Sequence, residues 1–511
     1  MDFNSETAWP PLPVDVDRKI REWDAWYAGD VGRLDGHYQR NAGRPARPSQ
    51  YAGGAVGAVA RFFWGQPTPQ GQPRSKMHVP LAGDIAGLSS DLLFGEELEV
   101  NAAGNEARLR EILDGNAADT LWAEAGHACA GLGGVFLRAT WDRELAGHAL
   151  MDVIHTDHVI PEFSRGQLRA ATIWEEVYRQ GDVVVRYLET HEPGRIRHRL
   201  YEGTDRKLGN LVPLDADRYP QLEGIELTAE DYFTLPPGLL TLTYVPNQRP
   251  APLWRNDPVG RNLGVADINQ VEPLLDAIDE TWTSWMRDIR HGKSRILVAR
   301  SMLDVGGAGG GARFDLDREV YEALNFAQGE TATFSSMLTP HQFEIRVTEH
   351  RDTIHEAMLQ AVQSAGYSPY SFGLGDSVGG TTATEVDSRD SKTRRTRERK
   401  TRYWTPALSR HLERLSLLDA YLFNKPPATD VEVVFPAGDT ETPGEVAQTL
   451  QLLTTAQAVS TRTKVEWLHP DWDEAAVSTE VAAILREQGL GETPVPEFDP
   501  DAADPFDLPE E

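Results

Sequence analysis

The chain has a single cysteine, Cys129, among 511 residues. One thiol cannot close an intramolecular disulfide, so folding needs no oxidising compartment. Cys129 lies in a run of small and apolar residues, Ala123 to Val135, which predicts a buried, inert thiol rather than a nucleophile. The first residues, Met-Asp-Phe-Asn-Ser-Glu, lack a basic segment followed by an apolar core, so no secretion signal is expected. Long apolar runs are missing too. The most apolar stretch, Ala55 to Trp64, is too short to cross a bilayer and contains Arg61. The expectation is a soluble protein made in a cytoplasm. Basic residues are scarce: 50 Lys and Arg stand against 79 Asp and Glu, a formal net charge of -29. Proteins that grip DNA tightly draw affinity from neutralised phosphates. Any contact of this chain with DNA is therefore expected to be loose, local or sliding. The same acidity also favours solubility.

Catalytic signatures are equally thin. The run Gly306 to Gly311 lacks the Gly-Lys-Ser/Thr ending of a phosphate-binding loop. Gly375-Asp376-Ser377-Val378-Gly379 matches the Gly-x-Ser-x-Gly pattern, which places a serine at a strained strand-to-helix turn. The preceding Tyr370 to Leu374 is too short and too Gly-rich for a central strand, which favours a flexible Gly/Ser loop. His155 and His158, with Asp152 and Asp157 nearby, offer metal-ligand types. Residues three apart on a strand face opposite sides, and no further ligand has suitable spacing. No catalytic residue, metal or cofactor is expected. A serine hydrolase using Ser377 is one rival reading.

A length of 511 residues suggests about three compact units. Apolar spacing predicts helices over Val16–Leu34, Val79–Val100 and Glu106–Gly126, with a Gly/Pro/Gln-rich loop or arm over Gly43–Gly71. From Val135 to about Tyr244 the period shifts towards two, giving strands and a mixed α+β region. A loop with four prolines, Pro246 to Pro258, precedes a long helix, Asp267 to His291. Its apolar positions are Ile268, Val271, Leu275, Ile278, Trp282, Trp285 and Ile289. Asp267 is a candidate N-cap, or the helix proper starts at Pro273. Its other face carries Glu272, Asp276, Asp279 and Glu280. Ser294 to Arg346 is strand-like, and a second helix, Glu349 to Ala365, ends at Gly366. The two helices can run antiparallel with the insert at their far end. A Gly/Ser loop, Ser368 to Gly380, leads to a third long helix, Thr384 to Asn424, that Pro406 must kink. A strand over Val431–Phe435 and helices over Gly444–Val459 and Asp473–Gln488 follow. Leu490 to Glu511 holds eight acidic groups, five prolines and no Lys or Arg, a composition of disorder.

Eight basic residues crowd the start of the third helix: Arg389, Lys392, Arg394, Arg395, Arg397, Arg399, Lys400 and Arg402. Over fourteen helical residues they wrap the helix rather than form one stripe. Some can pair with Glu385, Asp387, Asp390 and Glu398 at helical spacing. Others suit acidic faces of a neighbouring subunit or DNA phosphates.

Three blocks carry a resemblance. They are Val79 to Glu96; Asp267-Ile268 with Leu274 to Thr281 and Arg287 to Val298; and Phe372 to Gly375 with Thr382 to Val386 and the basic helix. In this order they resemble the portal proteins of long-tailed bacteriophages, over about residues 80 to 400. The resemblance implies a dodecameric ring at one capsid vertex, the channel for packaging and ejection of double-stranded DNA. It implies a wing (1–266), a stem helix (267–291), an α/β clip (292–347) and a return helix (348–366). A tunnel loop (367–383), a kinked wing helix and strand (384–436), a helical crown (437–489) and the acidic tail (490–511) follow.

Ser371, Phe372, Gly373, Leu374, Gly375, Asp376 and Ser377 become candidates to face DNA. Glu272, Asp276, Asp279 and Glu280 become candidates for an acidic tunnel wall. Lys392, Arg394, Arg395, Arg397, Arg399 and Lys400 become subunit-contact or phosphate-contact candidates. The implied partners are further copies of the chain, DNA, the large terminase, a head–tail adaptor, the major capsid protein and, where one is present, scaffold. No membrane is implied. The implied location is the virion, after assembly in a bacterial cytoplasm. A non-ring virion or scaffold-binding protein is the second rival. The Gly306–Gly311 run has no counterpart in the family pattern.

Overall fold

The computed structural model describes residues 3–41, 76–228, 231–291, 295–299, 321–324, 338–341, 346–374, 383–436, 443–456, 458–469 and 472–489. The chain forms two compact units, Met1–Pro436 and Ala437–Glu511.

The first unit opens with α1 (Val14–Ala28) and α2 (Val31–Asn41). The single helix expected here is broken at Gly29, which sits at φ +63°, a left-handed conformation that a Cβ disfavours. Asp30 restarts the helix: its Oδ1 accepts from the N–H of Gly32 at 2.8 Å. No side chain caps the start of α1. A cap contributes about 1 kcal/mol; burying a large apolar side chain contributes roughly 1.5–3 kcal/mol. The buried Ile20, Trp23 and Trp26 therefore outweigh the missing cap.

α3 (Leu81–Phe94) buries Ile85 and Leu93. It stops short of the expected end at Val100, because β1 (Glu99–Gly104) begins there. The next expected helix is also divided, into α4 (Glu106–Gly115) and α5 (Ala118–Leu132). Asn116 makes the break. Its amide donates to the carbonyls of Ile112 and Ala149, and its side-chain oxygen accepts from the N–H of Met151. A short amide side chain bonding the backbone in this way competes with helix continuation. On α5, Cys129 is 1% exposed, and burial pushes its thiol pKa well up.

The period-two region folds as expected. Its strands are β2 (Gly134–Thr140), β3 (Leu150–His155), β4 (Val159–Ser164), β5 (Gln167–Gln180), β6 (Val183–Glu192), β7 (Arg195–Thr204), β8 (Lys207–Val212), β9 (Tyr232–Thr234) and β10 (Leu242–Pro246). β10, β2 and β3 form one antiparallel sheet in that order. β4 to β8 form a second antiparallel sheet in chain order, with β9 on β7.

Then come α6 (Glu272–His291), β11 (Arg295–Ala299), β12 (Tyr321–Leu324), β13 (Leu338–His341) and α7 (Val347–Ala365). β11 is central in its sheet, parallel to β12 and antiparallel to β13. The Gly306–Gly311 run lies outside the described residues. Gly366 closes α7 at φ +102°, as its position after the helix predicts. α8 (Ala383–Phe423) runs continuously through Pro406, which supplies no N–H to the Arg402 carbonyl. β14 (Ala428–Val434) pairs antiparallel with β1.

Two large apolar clusters hold this unit, with two smaller ones on the second sheet around Leu188 and Leu200. One large cluster joins α1, α3, α6 and α7 around Trp23, Ile85, Ile278 and Val362. The other joins α5, β2, α8 and β14 around Trp122, Val135, Leu408 and Val433. The second unit has α9 (Pro443–Thr455), α10 (Thr461–Leu468) and α11 (Glu474–Glu487). The sequence did not predict α10; Ser460 caps it, accepting from the N–H of Thr463. Asp473 caps α11 through Ala476 N–H at 2.7 Å. The Gly43–Gly71 and Leu490–Glu511 segments lie outside the described residues.

Candidate functional site

α6 and α7 pack side by side through Leu275, Ile278, Ile354 and Val362, all buried. Near the end of α6, Asp288 Oδ2 lies 2.9 Å from His350 Nε2 and 3.0 Å from Arg346 Nη2, at the start of α7. End therefore meets start, and the pair is antiparallel. These hydrogen bonds, His350 first, hold the Asp288 carboxyl below the usual carboxylate range. The chain leaves α6 at His291 and returns at Val347, so β11 to β13 are inserted at the end of the pair remote from Asp267.

The expected open acidic face on α6 is corrected. Glu272 is 3% exposed; its Oε1 accepts from Trp23 Nε1 at 2.9 Å and pairs with Lys19 at 2.6 Å. Asp279 is fully buried. Its Oδ1 accepts from the N–H of Val79, and its Oδ2 lies 2.9 Å from His78 Nδ1. Lys76 bridges Asp276 at 2.6 Å and Glu280 at 2.9 Å, and the Glu280 side chain stays 60% exposed. The physical reason is that this face lies against α1 and the segment 76–79. Periodicity marks a polar face but does not say what covers it. Buried carboxylates persist where donors meet them.

Asp267 is likewise not an N-cap: α6 starts at Glu272, with Pro273 as its second residue. The alternative of a start at Pro273 is close to what forms. Asp267 is 4% exposed and collects four donors. Asn247 Nδ2 (2.8 Å) and Gln248 Nε2 (2.6 Å) reach Oδ1, and the Tyr367 hydroxyl (2.6 Å) and Lys400 Nζ (2.6 Å) reach Oδ2. Lys400 also donates to Ser89 Oγ at 2.5 Å. Burial, then the Asp267 charge, raise the Tyr367 hydroxyl pKa well above its ordinary value. One buried node thus ties α3, the segment after β10, the approach to α6, the segment after α7, and α8.

Tyr367 leads into the candidate loop. Pro369–Phe372 form a 3₁₀ turn. The Ser368 N–H donates to Thr393 Oγ1 at 2.8 Å, and Ser371 Oγ lies 3.1 Å from the same atom. Phe372 and Leu374 pack against the first apolar cluster, and Gly373 takes φ +67°. Ser368 and Ser371 are therefore tied to α8, while Phe372 and Leu374 rest on the first cluster. Gly375, Asp376 and Ser377, with the rest of the Gly-x-Ser-x-Gly match, lie outside the described residues.

The basic run divides by burial. Lys400 is 1% exposed and spent on Asp267. Arg397 donates to the carbonyls of Leu92 and Pro436, both at 2.6 Å, and Lys392 to that of Gln363 at 2.5 Å. For Lys400 this corrects the expected subunit or phosphate contact: a lysine with no accessible surface can meet neither. Arg395 and Arg399 are exposed and Arg394 is half-buried. The side chains of Glu385, Asp387 and Asp390 lie outside the described residues. Ser89, Asn247, Gln248, Tyr367 and Thr393 were not singled out from sequence. None belongs to a periodic or spaced motif, since their partners come from distant elements.

The other chemical candidates do not converge. Asp152 pairs with Arg138, which also meets Glu189 at 3.0 Å. Among the described residues no group of three or more His, Cys, Asp or Glu side chains is placed to hold a metal ion. No helix among them is long and apolar enough to cross a membrane.

Comparison with family models gives a match that spans most of the chain. The family model "Phage portal protein, SPP1 Gp6-like" matches residues 18–489. No curated protein matches. Among solved structures, a chain from the neck of a native GTA particle computed with C12 symmetry is similar at 12% identity. Its TM-score is 0.37, and the match covers 76% of this chain and 89% of that one. A chain from the virion of a native gene transfer agent particle is similar at 13% identity and TM-score 0.36, covering 76% and 88%. Membership rests on the family model, not on these structural likenesses: the chain belongs to the SPP1 Gp6-like family of phage portal proteins.

Proposed function

We propose that this portal protein, a structural component of a phage virion, forms a twelve-fold ring at one capsid vertex. The ring is the channel for double-stranded DNA during packaging and ejection. The family match across residues 18–489 carries this reading. In it, 267–291 and 348–366 are the stem, 292–347 the clip, 367–383 the tunnel loop, and 384–436 the kinked wing helix and strand. Residues 1–266 are the wing, 437–489 the crown, and 490–511 an acidic tail. The antiparallel α6–α7 pair bracketing a three-stranded sheet, followed by a loop anchored on α8, supports the assignment.

The clip docks the large terminase during packaging and the head–tail adaptor afterwards. The wing meets the major capsid protein and, where present, scaffold. The chain performs no catalysis; ATP hydrolysis belongs to the terminase. Duplex DNA carries about one charge per 1.7 Å of axis. A ring of chains with net charge -29 repels it, so DNA slides rather than sticks. Of the four candidate wall acids, Asp276 and Glu280 keep partial exposure and are the ones left to face it. Ser371 to Leu374 hold the base of the loop that follows the duplex.

Negative-stain imaging of the purified full chain tests this. A ring with a central channel is expected. A monomer at every salt concentration would count against it.

A further inference from the structure

Between the β4–β5 hairpin and the second half of α8 lies a recess of about 440 Å³. Four guanidinium groups line it, those of Arg249, Arg402, Arg410 and Arg414, and no Asp or Glu does. Arg402, Arg410 and Arg414 follow one another at steps of eight and four residues, along one row of the helix. That row spans about 18 Å at 1.5 Å per residue. The opposite wall is apolar and aromatic, with Phe163 and Tyr244.

Two of the arginines are held by neutral groups. Arg414 Nη1 donates to the Leu242 carbonyl at 2.7 Å and to Thr243 Oγ1 at 3.0 Å. Arg249 Nη2 donates to the Asn262 carbonyl and its guanidinium lies 5.9 Å from the Tyr244 ring, while its buried Nε has no hydrogen-bond partner among the described residues. Among the described residues none of the four is ion-paired. Burial, with the Arg410 charge beside it, pushes the Arg414 pKa down to about 10. In a chain with 29 more acidic than basic residues, positive charge that is concentrated here and unpaired among the described residues suits an acidic partner.

We propose that this arginine-lined recess is a binding site for a carboxylate-bearing segment of a second copy of this chain. The forked guanidinium matches a carboxylate in two-point contact. The aromatic wall takes an apolar side chain between the acids. Duplex phosphates lie on a convex cylinder and do not enter a recess of this size. A second copy is the fitting source because the chain itself is strongly acidic, and the inference rests on the self-association in the proposed ring.

The test places a photo-crosslinking amino acid at Tyr403, which lines the recess, in the full chain. Irradiation is expected to give covalent chain–chain adducts mapping to peptides with at least two carboxylates. The double variant Arg402→Glu/Arg410→Glu, whose changes fall on exposed positions, should reduce the adduct at least fivefold at unchanged thermal stability. Rings in negative stain without the adduct would overturn the recess and leave the ring standing. The adduct without rings would keep the recess and remove the ring. Neither would overturn both. A labelled duplex retained by the parent chain and lost by the variant, with no adduct, would give the recess to phosphate and overturn the proposal.

Discussion

Lys400 Nζ lies 2.6 Å from Asp267 Oδ2, and the two side chains are 2% and 1% exposed. Neither charge can turn to water if the other is removed. Deleting one partner of a buried pair costs roughly 3–5 kcal/mol, while replacing both by neutral groups costs far less. Lys400→Met should therefore lower the unfolding free energy by about that amount, and Lys400→Met/Asp267→Asn should recover a substantial part of it. Urea unfolding of the full chain checks this. Equal losses in the single and double variants would mean that the two charges are not energetically coupled.

The four candidate wall acids of α6 should separate in the same way. Asp279→Ala leaves the Val79 N–H and His78 Nδ1 without their acceptor. Leaving buried groups unsatisfied costs roughly 1–3 kcal/mol each, so the thermal midpoint should fall by several degrees. Glu280→Gln, on a side chain 60% exposed, should shift stability by less than about 0.5 kcal/mol. In the proposed channel it is Glu280→Gln that alters the salt dependence of DNA passage. A stable Asp279→Ala chain with altered passage would return Asp279 to the channel wall.

These acids also show what the sequence could and could not convey. The three-and-four spacing of Leu275, Ile278 and Ile354 names helices and their buried faces, because one local period decides both. The order of helices, insert and loop was legible for the same reason. Breaks at Gly29 and Asn116 were not. Each depends on one residue's backbone preference or side-chain bonds, which a window averages away. The burial of Glu272, Asp279 and Lys400 was not legible either. A polar residue at helical spacing looks the same whether it faces water or a donor from Trp23, His78 or Asp267. The node at Asp267 joins residues up to 311 positions apart, Ser89 to Lys400, with Asp267 between them, and no local pattern encodes it.

His411 should make stability depend on pH. It is 1% exposed, and neither ring nitrogen has a hydrogen-bond partner among the described residues. Burial, with the nearby Arg414 charge, pushes its pKa down to about 3. An unfolded histidine titrates near 6.5. Between those values the unfolded chain binds a proton that the folded chain refuses, so stability rises with pH across the window. The contribution is complete above about pH 6.5 and declines by about 1.4 kcal/mol per unit as pH falls towards 3. His411→Leu should flatten the dependence between pH 6.5 and 4.5. Parallel curves for the two chains in urea unfolding would assign the acid sensitivity elsewhere.

The base of the candidate tunnel loop should loosen when a single oxygen is removed from α8. Thr393 Oγ1 is the acceptor for the Ser368 N–H at 2.8 Å and lies 3.1 Å from Ser371 Oγ, and both Thr393 and Ser368 are buried. Thr393→Val keeps the side chain's shape and takes the oxygen away. The Ser368 amide is left dry and unpaired, a cost of about 1–3 kcal/mol. The cheapest relief is for the segment to detach from α8, because its 3₁₀ turn carries only short-range bonds of its own. Amide exchange over Ser368 to Leu374 should quicken at least tenfold, while amides in the middle of α7 keep their protection. Uniform quickening across α7 would instead mean that the threonine supports the whole stem. In the proposed ring the local outcome carries a functional consequence. A loop freed at its base cannot hold a fixed position against the duplex, so the variant should assemble normally and package DNA with reduced retention.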